Sequence, residues 1–237
     1  MSTLTSQAPI ENTPIPSPNL GLVWPGFESS PLPLRSSVKR TIDLVGAAFG
    51  LLMLAPLLAL IALIIRLDSP GPVLFRQRRQ GLDGEIFCLL KFRTMHHDAE
   101  DRLKELEVHN ESAGGVLFKM RQDPRVTPLG RFLRRTSLDE LPQLWNVLRG
   151  EMSLVGPRPL QLRDSALLRK MDPAGYLRRM SVLPGLTGLW QVGGRSNLDS
   201  AGMVRLDLDY VANWSLGLDL RILCRTAIVV LTGRGAC

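Results

Sequence analysis

From Leu44 to Ile65 the chain carries no charged residue. A run of about 22 apolar residues makes about 33 Å of α-helix, enough to cross the hydrocarbon core of a bilayer. Ser37-Val-Lys-Arg-Thr-Ile-Asp43 leads into it, and Asp68-Ser-Pro-Gly-Pro72 breaks the pattern after it. Pro56 sits in the middle, where it removes one backbone hydrogen bond and bends the helix. Positive residues flank both ends: Arg35, Lys39 and Arg40 before, Arg66, Arg76, Arg78 and Arg79 after. Positive charge favours the cytoplasmic side of a membrane. A simple span would place one cluster outside. A segment that enters, turns at Ala55-Pro56 and returns would keep both inside. The expectation is a re-entrant membrane helix hairpin over residues 37–67, with a kinked span as the alternative.

The rest of the chain alternates shorter elements. Val73-Leu-Phe-Arg-Gln77 and Ile86-Phe-Cys-Leu-Leu-Lys-Phe92 read as strands, with Gly81-Leu-Asp-Gly84 between them, which predicts a β-hairpin. Residues 98–108 read as a charged, exposed helix. Thr127-Pro128 opens a helix, with threonine as cap and proline at the first position. Further helices are expected over 160–170, 198–214 and 218–231. The last is too short and too charged to span a membrane. It suits packing on the core or lying on the membrane surface. Residues 1–36 are rich in Pro, Ser, Thr and Asn and read as disordered. They do not follow the pattern of a signal peptide. The expected division is thus a disordered 1–36, a membrane hairpin 37–67 and a cytoplasmic domain 68–237. The fold class is α+β, mainly helical.

Composition narrows the partners. The net charge is +7, which favours phosphates or an anionic membrane surface. Aromatic residues make up only 5%, with no basic stripe interleaved, which argues against nucleic acid as a partner. Cys88, Cys224 and Cys237 show neither a disulfide framework nor zinc spacing. His96, His97 and His109 read as surface residues.

The densest chemistry lies between Arg134 and Pro159. Asp139 and Glu140 are adjacent, Arg134 and Arg135 precede them, and Gly156-Pro-Arg-Pro159 follows. The plain reading is a capping box: Ser137 as N-cap, Glu140 three residues on, then Leu141, Leu144, Trp145 and Leu148 at helical spacing. Asp139 has no part in such a box. The surrounding arginines suit an anion site, beside which a carboxylate stays ionised as a nucleophile must. In Lys91-Phe-Arg-Thr-Met95, Lys91 and Arg93 read either as a solvated strand end or as a pair of phosphate contacts. Trp190 suits stacking on a ring of a ligand, or burial in a loop. Arg195 suits an anion or solvent.

Six blocks in order resemble the bacterial sugar transferases, the monotopic phosphoglycosyl transferases that start polyprenol-linked glycans. They are Lys39-Arg-Thr-Ile-Asp43, Ser69-Pro-Gly-Pro-Val73, Lys91-Phe-Arg-Thr-Met95, Thr136-Ser-Leu-Asp-Glu-Leu-Pro-Gln-Leu144, Gly150-Glu-Met-Ser-Leu-Val-Gly-Pro-Arg-Pro159 and Gly185-Leu-Thr-Gly-Leu-Trp-Gln-Val192. The resemblance runs from about Lys39 to the C-terminus. It implies transfer of a sugar-1-phosphate from a UDP-sugar to a polyprenyl phosphate, usually undecaprenyl phosphate, with release of UMP. It implies a ping-pong course through a phosphosugar-enzyme intermediate. By position, Asp139 would be the nucleophile and the Mg²⁺ contact, Glu140 would assist, and Lys91, Arg134 and Arg158 would hold phosphates. Such enzymes serve exopolysaccharide, capsule or O-antigen synthesis at the bacterial inner membrane, with the catalytic domain on the cytoplasmic side. Their membrane helix is re-entrant. Many carry Ser-Pro at the break, where this chain has Ala55-Pro56; the serine hydroxyl that could bond a freed carbonyl is missing.

The competing reading is a non-catalytic, membrane-anchored scaffold of a glycan assembly complex. No residue pattern selects the sugar. Oligomeric state is equally unmarked, and a homodimer is compatible with the sequence.

Overall fold

The computed structural model describes residues 37–96, Ala99, 123–193 and 200–232. The expectations for residues 1–36, the 98–108 helix, Arg195, His97 and His109 fall outside these residues. His96 is exposed, as a surface histidine should be.

The first element, α1, spans Ser37–Asp68, 32 residues, with Pro56 inside it and not ending it. It is long and apolar enough to cross a membrane. One stripe of it faces protein, buried towards both ends and half-buried in the middle. Lys39, Asp43, Ala47, Ile61 and Ile65 are buried, a spacing of three to four residues or its multiples that keeps one helical face turned inward. The other side exposes Val45, Phe49, Leu52, Met53, Leu60, Leu63 and Leu67. Ala47 packs with Phe87, Leu89, Leu144, Val147 and Met152. Ile61 and Ile65 pack with Phe92 and Leu133. The helix is therefore part of two core clusters, one on each side of Pro56.

The expected hairpin forms: β1 (Leu74–Gln80) pairs antiparallel with β2 (Ile86–Phe92), Gln77 opposite Leu89. Strand periodicity exposes Arg76 and Arg78 and turns Arg79 inward. The free edge of β2 meets α3 (Gln143–Arg149). Asn146 of α3 accepts from Leu90 N at 3.0 Å and donates to Cys88 O at 2.8 Å, acting as a substitute for a neighbouring strand. Between these elements, α2 (Pro128–Arg135) starts as expected: Thr127 Oγ1 accepts from Gly130 N at 2.8 Å, with proline in the first turn.

The capping-box expectation fails at Ser137. That residue is left-handed, φ +56°, and its side chain makes no cap bond. An N-cap needs extended backbone. Instead Leu138–Glu140 form a single 3₁₀ turn, and α3 begins only after Pro142. Glu140 is thereby released from helix capping.

The second half contains a parallel strand pair that the sequence did not announce: β3 (Ser153–Val155) beside β4 (Gly185–Thr187). Gly156 and Gly185 permit it, because a Cβ on Gly185 would collide with the backbone nitrogen of Gly156. Helices α4 (Leu162–Met171), α5 (Pro173–Met180), α6 (Leu189–Val192), α7 (Ser200–Ala212) and α8 (Leu216–Thr232) complete the described chain. Leu160, Leu168, Tyr176, Met180, Trp190 and Met203 form one core among them. Ile222 of α8 packs with Val155, Val182 and Tyr210, so the last helix docks on the core.

The positive flanks of α1 are partly used inside the fold. Lys39 donates to Asp219 Oδ2 at 2.7 Å and to Val155 O. Arg40 donates to the carbonyls of Val147 and Leu148, the C-terminal end of α3, where a cation suits the helix dipole. Arg93 serves the other end of α1. It donates to Ser69 O at 2.7 Å, Ser69 Oγ at 2.9 Å and Pro70 O at 3.0 Å. The paired-phosphate reading of Lys91 and Arg93 is corrected accordingly: Arg93 is occupied by the breaker after α1, and Lys91 alone turns to the acidic pair.

Candidate active site

The 3₁₀ turn sets Asp139 and Glu140 between the end of β2 and the loop after β3. Glu140 Oε1 accepts from Lys91 Nζ at 2.7 Å and from Arg158 Nη2 at 2.7 Å; Oε2 faces Arg158 Nη1 at 3.4 Å. Three positions 49 and 18 residues apart thus meet at one carboxylate. Lys91 arrives by way of β2, whose register against α3 is fixed by Asn146. Arg158 also lies over the Trp190 ring, 5.9 Å from its centre, within cation–π range. The stacking expected of Trp190 is therefore taken up by an arginine, with the indole itself buried.

Asp139 differs from its neighbour. It is 7% exposed, and among the described residues no hydrogen bond or ion pair reaches its side chain. Burial pushes its carboxyl above the ordinary range; Lys91 opposes that and Glu140 adds to it. Burial would raise Glu140 too, but Arg158 and Lys91 outweigh it and hold Glu140 well below the usual carboxylate range. The two acids are pushed apart. Glu140 is the fixed anion that gathers the cations, and Asp139 keeps its lone pairs uncommitted.

Arg134, on α2, donates Nε to Thr94 Oγ1 at 2.9 Å. Burial lowers its guanidinium, and Asp139 is the largest charge opposing that. It is thus electrostatically part of the site without bonding either acid. Lys91, Arg134, Arg158, Asp139 and Glu140 all converge.

Arg79, in sequence only one of the charges that flank the apolar run, is a further member of this region. Arg79 is buried and donates Nη1 to Pro159 O at 2.9 Å. Burial and then Arg158 pull it down to about 10. It also donates Nη2 to Gln77 Oε1, but the Pro159 carbonyl that draws it to the site lies 80 residues away, so only its place on the inward face of β1 could mark it.

The donor set fits a magnesium ion in a particular way. Among the described residues no group of three or more His, Cys, Asp or Glu could cage a metal. Mg²⁺ in phosphate chemistry typically uses one or two carboxylates plus substrate oxygens and water. Asp139, buried and unbonded, is the one member of the pair with oxygens to give. Glu140 has its oxygens engaged.

The family comparison matches residues 34–233 to the bacterial sugar transferases. The chain is 45% identical over 225 residues to the UDP-glucose:undecaprenyl-phosphate glucose-1-phosphate transferase of Caulobacter vibrioides, covering 92% of this chain and 78% of that protein. It is 42% identical over 207 residues to the exopolysaccharide production protein ExoY of Rhizobium meliloti, covering 86% and 90%. It is 44% identical over 207 residues to the undecaprenyl-phosphate galactose phosphotransferase of Salmonella typhimurium, covering 85% of this chain but 42% of that protein. The chain spans less than half the length of several such relatives, among them the galactosyl transferase CpsE of Streptococcus agalactiae, at 43%. With 200 consecutive positions matched, the chain belongs to the bacterial sugar transferase family.

Proposed function

We propose that this protein transfers a sugar-1-phosphate from a UDP-sugar to undecaprenyl phosphate, releasing UMP, as the first membrane step of an exopolysaccharide, capsule or O-antigen. One observation carries the reading: a buried, unbonded Asp139 beside a Glu140 saturated by Lys91 and Arg158. A carboxylate nucleophile needs free lone pairs and an in-line phosphorus, and little other activation.

In this course an Asp139 carboxylate oxygen bonds to the β-phosphorus. The bond from that phosphorus to the oxygen bridging the α-phosphate breaks, and UMP leaves with that oxygen and the electron pair. A phosphate oxygen of the lipid then bonds to the same phosphorus, the Asp139–phosphorus bond breaks, and the carboxylate is restored. Lys91, Arg134 and Arg158 hold the phosphates and offset charge on the bridging and leaving oxygens. Glu140 keeps Lys91 and Arg158 in place. Asp139 would also hold Mg²⁺, which supplies further neutralisation of the diphosphate. Splitting transfer into two steps lets a soluble donor and a lipid acceptor use one site in turn.

The proposed membrane arrangement draws its support from α1. Its inward stripe is buried at Lys39, Asp43 and Ala47 and again at Ile61 and Ile65, is half-buried between, and its opposite face is apolar and exposed. This supports a helix that dips into the inner membrane and keeps both ends on the cytoplasmic side. Cysteine introduced at Ser37 or Ser69, with the native cysteines replaced, should resist impermeant thiol reagents in intact spheroplasts. Labelling at either position from outside would defeat the re-entrant arrangement.

The reaction is tested by UMP release from a panel of UDP-sugars with Mg²⁺ in nanodiscs. UMP should appear with one sugar and turn over only with undecaprenyl phosphate. Folded protein that releases no UMP from any sugar would return the balance to a scaffold.

A further inference from the structure

The loop Gly156-Pro-Arg-Pro159 carries Arg158, yet part of its shape is set from outside the site. Arg179 on α5 and Asp207 on α7 form an ion pair: Nε to Oδ2 at 2.9 Å and Nη2 to Oδ2 at 2.7 Å. Each side chain is 1% exposed. Taking two charges out of water is expensive, and well-packed apolar residues often hold two helices together as well or better. Helix packing alone therefore gives no reason for charges here.

The same guanidinium reaches further. Arg179 Nη2 also donates to the backbone carbonyl of Arg158 at 2.9 Å. Pro157 and Pro159 flank Arg158 and restrict the chain on either side. With its carbonyl tethered behind and its guanidinium on Glu140 in front, Arg158 is delivered to one place. A planar guanidinium can meet a carboxylate and a carbonyl together, which a lysine cannot do with the same geometry.

We propose that Arg179, oriented by Asp207, is a positioning residue that fixes Arg158 through its backbone carbonyl. It bonds neither Asp139 nor Glu140, and its effect passes through Arg158. The inference rests on the transfer reaction proposed above for its kinetic readout.

The test is a double-mutant cycle. Arg179→Met with Asp207→Leu replaces the pair by apolar residues of similar size. UMP release is measured with this change in the native background and in Arg158→Ala, and thermal unfolding is followed in parallel. The expected result is folded protein whose kcat/KM falls about 10- to 100-fold in the native background, the range that a small misplacement of a site group costs. In the Arg158→Ala background the same change should cost less than about two-fold, because the group it positions is gone. Equal losses in both backgrounds, or no loss in either, would overturn the proposal. If the apolar pair does not fold, Arg179→Lys runs through the same cycle. Affinity for inorganic pyrophosphate is a second readout that needs no turnover. If the unsubstituted protein releases no UMP, the proposed reaction falls, and the positioning role then stands or falls on pyrophosphate affinity. That affinity should weaken about 10-fold only where Arg158 is present. Unsubstituted protein that neither releases UMP nor binds pyrophosphate overturns both.

Discussion

Asp219 and Asp139 are each 7% exposed, and each lies among cations and polar groups, but they are treated in opposite ways. Asp219 accepts from Lys39 Nζ at 2.7 Å, Tyr210 OH at 2.8 Å and Trp214 Nε1 at 3.2 Å. Its acceptor capacity is spent on tying α1 to α7 and α8. Close by, Asp43 of α1 accepts from Ser153 Oγ and Leu154 N, which extends the clamp to β3. Asp139 accepts nothing from the described residues, although three cations act on it. Burial and nearby charge therefore do not separate a structural acid from a chemical one. What differs is how the lone pairs are committed: Asp219 spends its oxygens on the fold, whereas Asp139 leaves its own open, as the proposed nucleophile requires.

The largest effect that could break this contrast is Asp139→Asn. It should lower UMP release by at least about 10³-fold, as losing a nucleophile does. Thermal unfolding at pH 7 should be unchanged or slightly higher, because burial disfavours the charge that the substitution removes. Residual turnover within ten-fold of the native rate would end the nucleophile assignment. Asp219→Ala should do the reverse. Lys39 would lose the nearer of its two carboxylates and keep Asp43 at 3.7 Å, which should cost about 3 kcal/mol. Turnover per folded molecule should stay within about five-fold, as read by denaturant unfolding beside active-site titration. A large loss of turnover with intact stability would erase the distinction.

Glu140→Gln sharpens the division inside the site. It keeps the shape but removes the charge that gathers Lys91 and Arg158, so kcat should fall about 10- to 100-fold without reaching the Asp139→Asn floor. The smallest effect concerns Asp164, which burial pushes up to about 6. An unfolded aspartate releases its proton near 3.8. Between these values the native state holds more protons than the unfolded one, so stability falls as pH rises from about 4 to 6. Asp164→Asn should flatten that part of the melting-temperature profile and leave the rest unchanged. An unaltered slope would show that another group controls it.

Local chemistry was legible in the sequence where neighbours decide the outcome. Thr127 caps because Pro128 and the following turn accept it, and the β1–β2 hairpin follows from its connection and strand composition. The same local logic failed at Ser137, where a good capping-box pattern lost to tertiary demand. Lys91 and Arg158 claim Glu140 from 49 and 18 residues away, and no local rule weighs that. Arg79, Asn146 and the Arg179–Asp207 pair were invisible for a related reason. Each is an ordinary polar residue whose meaning appears only when a distant carbonyl is brought beside it. The β3–β4 pair was hidden because three residues per strand is too short to show a period. The candidate site residues were named by resemblance and by the crowding of charge; what holds them in place came from packing.

The inward stripe of α1 bears on how this protein can be handled and inherited. A helix that only moors a domain can be exchanged for another of similar length or clipped away. Here Ala47, Ile61 and Ile65 complete the cores behind β2, and Lys39 locks the last helix. Cutting before residue 69 would strip one wall from the building rather than untie a boat. A soluble truncation should therefore aggregate, and replacement by an unrelated anchor should not restore it. The lipid-facing and protein-facing surfaces of this single helix must consequently change together in descent, since neither can be redrawn without the other.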